Sequence, residues 1–148
     1  MDKWNFLYDI QKDFDFDLLI ESDSVVLTNR NTGVHIDIFE DKFSTKDEEE
    51  SFVEYLVCFS TQHRHFEELS EVEEYIHSIL ADEVLPIEFY CNGERRFGGE
   101  ITKVDYDGLN IERLAELFGY TIEYLSQFEF EVNSWSGKYN IERNRLHP

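Results

Sequence analysis

Residues Leu69 to Ile101 read LSEVEEYIHSILADEVLPIEFYCNGERRFGGEI. The spacing of apolar residues changes once along this stretch. Val72, Tyr75, Ile76, Ile79 and Leu80 recur at helical spacing, whereas Glu71, Glu74, His77 and Ser78 fall elsewhere. One apolar stripe predicts an amphipathic helix. Ser70 followed by Glu73 fits a capping box at its start. Pro86 disfavours helix at Leu85. Ile87, Phe89 and Cys91 then alternate with Glu88 and Tyr90, the period of a half-buried strand. Asn92-Gly93 is the signal for a primed hairpin turn. A helix with one apolar face beside a strand with one apolar face is a packing unit, and the rest of the fold is expected to build on it.

Upstream, Asp2 is placed to cap a helix carrying Trp4, Leu7, Ile10 and Phe14. Leu18 to Ile20 and Val25 to Asn29 suit strands, and Arg30 to Gly33 a turn. Val34, Ile36 and Ile38 share one face, with His35, Asp37 and Phe39 on the other. Ser44 to Ser51, STKDEEES, is too charged to bury and is expected to form a solvated loop. Phe52 to Ser60 predicts a strand with Val53, Tyr55, Val57 and Phe59 on one face, and Thr61 to Arg64 predicts a turn.

Downstream, Arg95 to Val104 should return as a strand, with Gly98-Gly99 marking a bulge or irregular edge. Asp105 to Gly108 reads as a turn, and Ile111 to Phe118 as a helix that Gly119 closes. Phe128, Phe130 and Val132 alternate with Glu129 and Glu131, a strand pattern. Ser136-Gly137 can reverse the chain into Tyr139 and Ile141, and Arg143 to Pro148 is expected to fray. Hairpins outnumber βαβ units. The expected fold is α+β, a mostly antiparallel sheet with helices on one face, in a single domain over residues 1–148.

Charge is the unusual bulk property. Thirty-three acidic residues oppose 13 basic ones in 148, a formal net charge of -20. Such a surface repels phosphate backbones and anionic membranes, which argues against direct nucleic-acid or membrane binding. It favours basic partners and speeds their encounter. The N-terminal MDKWNFLYDI lacks the basic and apolar regions of a signal peptide, so a cytoplasmic location is expected.

No catalytic, metal or cofactor motif emerges. His63 and His65 have the spacing of two ligands on a strand, but no second ligand pair accompanies them, and they are expected in a polar turn. Cys58 and Cys91 sit in apolar runs without a nucleophile context and read as buried thiols. Gly98-Gly99 matches no phosphate-binding loop.

Acidic runs remain: Asp47, Glu48, Glu49 and Glu50 in the charged loop, then Glu67, Glu68, Glu71 and Glu74. Together they are candidate partner-binding residues, with Trp135, beside a turn, as a candidate anchor whose ring can equally fold back over the sheet, core or partial burial being the expectation. Acids in a first helical turn also serve the helix dipole, which accounts for part of the second group.

In size, charge and mixed αβ pattern the chain resembles the bacterial immunity proteins that neutralise toxins. That resemblance implies a one-to-one complex with a basic toxin, no catalysis and no cofactor. Two other classes stay open: a phage or mobile-element inhibitor that mimics DNA, and an enzyme using a pocket of histidine and carboxylate.

Overall fold

The fold is given by a computed structural model that describes residues 3–44 and 51–145. Asp2, the charged segment 45–50 and the last three residues lie outside the described residues.

The chain begins with α1 (Asn5–Ile10) and continues as five strands: β1 (Phe16–Ile20), β2 (Ser24–Asn29), β3 (His35–Ser44), β4 (Ser51–Phe59) and β5 (Gln62–Phe66). These pair in sequence order, β1-β2-β3-β4-β5, and every contact is antiparallel. Gly33 takes φ 79° in the turn between β2 and β3, a left-handed conformation that glycine adopts without strain.

The next elements are α2 (Leu69–Leu80), β6 (Val84–Cys91) and β7 (Glu94–Thr102). Three short helices follow, α3 (Lys103–Asp107), α4 (Ile111–Phe118) and α5 (Ile122–Leu125), then β8 (Glu129–Val132) and β9 (Ile141–Arg145). The late strands form a second antiparallel sheet ordered β7-β6-β8-β9. The class is α+β with antiparallel strands, divided between two sheets. Among the described residues no helix is long and apolar enough to cross a membrane.

The decisive stretch folds largely as its pattern predicts. Val72, Tyr75, Ile76, Ile79 and Leu80 are the buried residues of α2. Asn92 and Gly93 both take positive φ, 52° and 80°, as a type I′ turn requires. Gly119 closes α4 at φ 73°.

Five local expectations are corrected. The capping box is absent: α2 starts at Leu69 with Glu68 as a cap that makes no side-chain bond, so Ser70 lies inside the first turn. Residues from Gln62 onward are strand, because Ser60 at φ 57° reverses the chain in two residues and pairs Phe59 with Gln62. Lys103–Asp107 is helical, since the Asp105 amide donates to Thr102 Oγ1 at 3.2 Å and caps the turn. Arg143 to Arg145 do not fray but belong to β9, with Arg145 opposite Glu129. Glu88 does not face solvent: it is 0% exposed in a strand buried on both faces.

Each sheet has its own buried cluster. Leu7 and Ile10 of α1, Val72 and Ile76 of α2, and Ile36 and Val57 of the first sheet share one. Ile87, Phe89, Leu114 and Leu125 belong to the other. Burying one such side chain contributes about 1.5–3 kcal/mol, so the outward-facing positions are left to serve other ends.

Candidate functional site

Alternation sends every second residue of the first sheet inward, into the cluster with α1 and α2. The remaining positions form a broad outer face. Its rows follow from the register. One row runs Leu19, Val26, Asp37, Cys58, His63. The next runs Ser24, Phe39, Leu56, His65. Asp17, Thr28 and His35 flank the first row, and Asp41 opposite Glu54 flanks the second.

The middle of this face is apolar and open. Leu19 is 57% exposed and Phe39 41%, while Val26 and Leu56 are half-buried. Carboxylates stand on the same face at Asp17, Asp41 and Glu54, and at Asp37 between Val26 and Cys58, with imidazoles at His35, His63 and His65. No lysine or arginine occupies an outward ladder position among the described residues. The nearest guanidinium is that of Arg30, in the β2–β3 turn, which bonds Asp17 at 2.7 Å and Asp15 at 2.8 Å. His65 Nδ1 lies 2.8 Å from Glu54 Oε1, and His35 Nε2 lies 3.4 Å from Asp37 Oδ2.

At one end of the face a cavity of about 400 Å³ opens where the β2–β3 turn, the β4–β5 turn and residues 133–140 meet. Its walls include His35, Asp37, Cys58, Ser60, Asn133 and Asn140. The residues between β8 and β9 are fixed by their own bonds. Ser134 donates to Asn140 Oδ1 from both its amide, at 2.7 Å, and its hydroxyl, at 3.0 Å. The Tyr139 amide donates to Ser134 Oγ at 3.1 Å.

Histidine, carboxylate and thiol meet in this cavity, the residue types of a thiol nucleophile. The electrostatics run the other way. Burial pushes the Cys58 thiol up, and the Asp37 charge pushes it further. A catalytic thiol needs the opposite shift. Cys58 and Cys91 are both free. Among the described residues no three histidine, cysteine or acidic side chains are grouped to hold a metal.

Of the residues singled out by sequence, the described ones stand in two places, Glu67, Glu68, Glu71 and Glu74 around the start of α2 and Trp135 between β8 and β9. Asp47, Glu48, Glu49 and Glu50 lie outside the described residues; Ser44 and Ser51 on either side of the segment pair with each other. Glu67 and Glu68 are exposed just beyond β5. Glu71 and Glu74 are exposed on α2 and line a hollow of about 260 Å³ with Arg64 and Tyr75. Val72 and Ile76 of that helix belong to the buried cluster that Ile36 and Val57 of the sheet share.

Trp135 is not an exposed anchor. It is 4% exposed, and its ring lies 6.5 Å from Phe16 and 6.4 Å from Phe59. Asn29 Nδ2 donates to its carbonyl at 2.7 Å. The residues that sequence reasoning passed over as a site are Leu19, Asp37, Phe39 and Glu54. Their signal was alternation: His35, Asp37 and Phe39 stand on the side opposite an apolar run. No protein-family model, curated protein or solved structure matches the chain.

Proposed function

We propose that this chain is a non-enzymatic acidic binding protein that neutralises a basic protein partner, in the manner of an immunity protein and its toxin. In this reading it works in the cytoplasm as one domain. The outer face of the first sheet is the docking surface. The observation that carries the reading is the composition of that face, where apolar Leu19, Val26, Phe39 and Leu56 stand among the carboxylates of Asp17, Asp37, Asp41 and Glu54 and, among the described residues, no lysine or arginine holds an outward ladder position.

Each part has a physical role. Phe39 and Leu56 supply the desolvated centre where binding energy concentrates. Asp37, Asp41 and Glu54 complement basic side chains at the rim and reject acidic competitors. The net charge of -20 draws the partner in at low salt. An apolar centre suits a protein better than it suits mimicry of DNA, whose charge lies in rows. The thiol-enzyme reading draws on His35, Asp37 and Cys58 in the cavity, and the upward shift of Cys58 weighs against it.

The test is affinity purification from the native host at low and high salt, with the wild type, Phe39→Lys, and a variant neutralised at Asp47 to Glu50. One basic protein, held by the wild type and lost with Phe39→Lys, is the expected result. Loss on neutralising Asp47 to Glu50 while Phe39→Lys still binds would move the site to residues 47–50. Empty eluates at both salts would end the proposal.

A further inference from the structure

The cavity at the end of the open face has a chemistry of its own. Among the described residues Asp37 is the one carboxylate in its wall, and no lysine or arginine lines it. The Asp37 side chain is 28% exposed, so its charge is neither buried beyond reach nor fully hydrated. Val34 and Cys58, both half-buried, give the cavity apolar surface, and Ser60, Asn133 and Asn140 give it a polar rim. The rim is set in advance by the bonds from Ser134 to Asn140 and from Asn133 Nδ2 to Ser60 Oγ, 3.4 Å. A volume of about 400 Å³ admits one long side chain but no folded element.

We infer that this cavity is a socket for a single cationic side chain, the guanidinium or ammonium group of an arginine or lysine, with the Asp37 carboxylate as its counter-ion. The inference rests on the proposed binding of a basic partner and names the contact that fixes its register on the sheet. The methylene stem lies along Val34 and Cys58 while the charged head meets Asp37 and the polar rim, as long cationic side chains do when half-buried. Bidentate pairing makes the guanidinium the better occupant. His35, whose Nε2 lies 3.4 Å from Asp37 Oδ2, also lines the cavity.

The test needs no partner. Nuclear magnetic resonance titrations at pH 8 and low salt would use N-acetyl-arginine amide, N-acetyl-lysine amide and N-acetyl-glutamine amide as probes. Saturable shifts at Gly33, Ser60, Asn133 and Asn140 are expected for the two cations and not for glutamine. Asp37→Asn should weaken arginine binding at least tenfold. Thr32→Trp, at the exposed rim, should block it without touching Asp37 and guards against a fold defect in the first variant. Glu71→Lys, on the other side of the sheet, should change nothing. Shifts spread over the acidic surface, or shifts indifferent to Asp37→Asn and Thr32→Trp, would overturn the socket. No saturable shift with either cation would overturn it as well. Should the socket fail while partner capture still depends on Phe39, only this inference falls. Should the socket bind arginine while no partner is captured, the socket stands and the proposed function falls.

Discussion

Gly98 stands opposite Glu88 on the neighbouring strand, so close that a methyl group on its Cα would collide with the Glu88 carboxylate. The same methyl would lie 2.7 Å from Gln62 Nε2. The space belongs to a buried ion. Glu88 is 0% exposed and accepts bonds from Gln62 Nε2, at 2.7 Å, and from Arg95 Nε. Gln62 comes from the first sheet, so this carboxylate links the two. A buried carboxylate is tolerable only while its bonds are intact. Gly98→Ala should therefore destabilise the fold by about 1–3 kcal/mol, the usual range for an added methyl in a packed site. Urea unfolding measures it, and an unchanged midpoint would mean that the strand moves aside freely.

Trp135 makes a second prediction, about what it does not do. Its ring is packed against Phe16 and Phe59, and its carbonyl is held by Asn29. Truncating such a side chain costs about 3–5 kcal/mol. Trp135→Ala should lower the unfolding midpoint steeply, while the fraction that remains folded captures the partner as the wild type does. A stable variant that has lost capture would make Trp135 an interface residue after all.

How far these features could be read in advance depends on the range of the forces behind them. The stripe of α2, the Asn92-Gly93 turn and the Gly119 cap are set by residues within a few positions, and all three are visible in the sequence. The strand Gln62–Phe66 is not, because its polar run has no apolar alternation and is held by its pairing with β4. Glu88 carries a period that points it outward, and only Gln62, 26 positions away, and Arg95 make its burial bearable. The split into two sheets turns on β6 pairing with β7 and β8 rather than with β5, a non-local choice. The same limit applies to the site. Alternation places His35, Asp37 and Phe39 on one side of β3, but that side is open only because both α1 and α2 pack on the other. Trp135 near a turn carries no local mark of burial, since Phe16 and Phe59 lie far away in sequence.

Tyr75 predicts how the fold responds to alkali. Burial is the main force holding its phenol protonated, and the bond it donates to Glu100 adds to it, so its pKa lies far above the ordinary value. In the unfolded chain a tyrosine loses its proton near pH 10, about the value for free phenols. Above that pH the folded state binds more protons than the unfolded one, and stability falls as pH rises. The contribution is complete below about pH 10 and disappears above it. Tyr75→Phe has no proton to lose and should show a shallower decline in urea midpoint between pH 9 and 11. Parallel declines in the two proteins would show that Tyr75 ionises freely in the fold.

Cys58 separates the binding reading from the enzymatic one. Its thiol faces the cavity beside Asp37, and both burial and that carboxylate raise its pKa. Alkylation proceeds through the thiolate, so a raised pKa slows it. Iodoacetamide at pH 8 should modify Cys58 at least tenfold more slowly than a free thiol such as glutathione. Asp37→Asn removes one of the two causes and should speed the reaction, leaving the effect of burial. A Cys58 that reacts faster than glutathione in the wild type would instead mark an activated thiol with His35 as its base, and the cavity would then have to be read as a catalytic site.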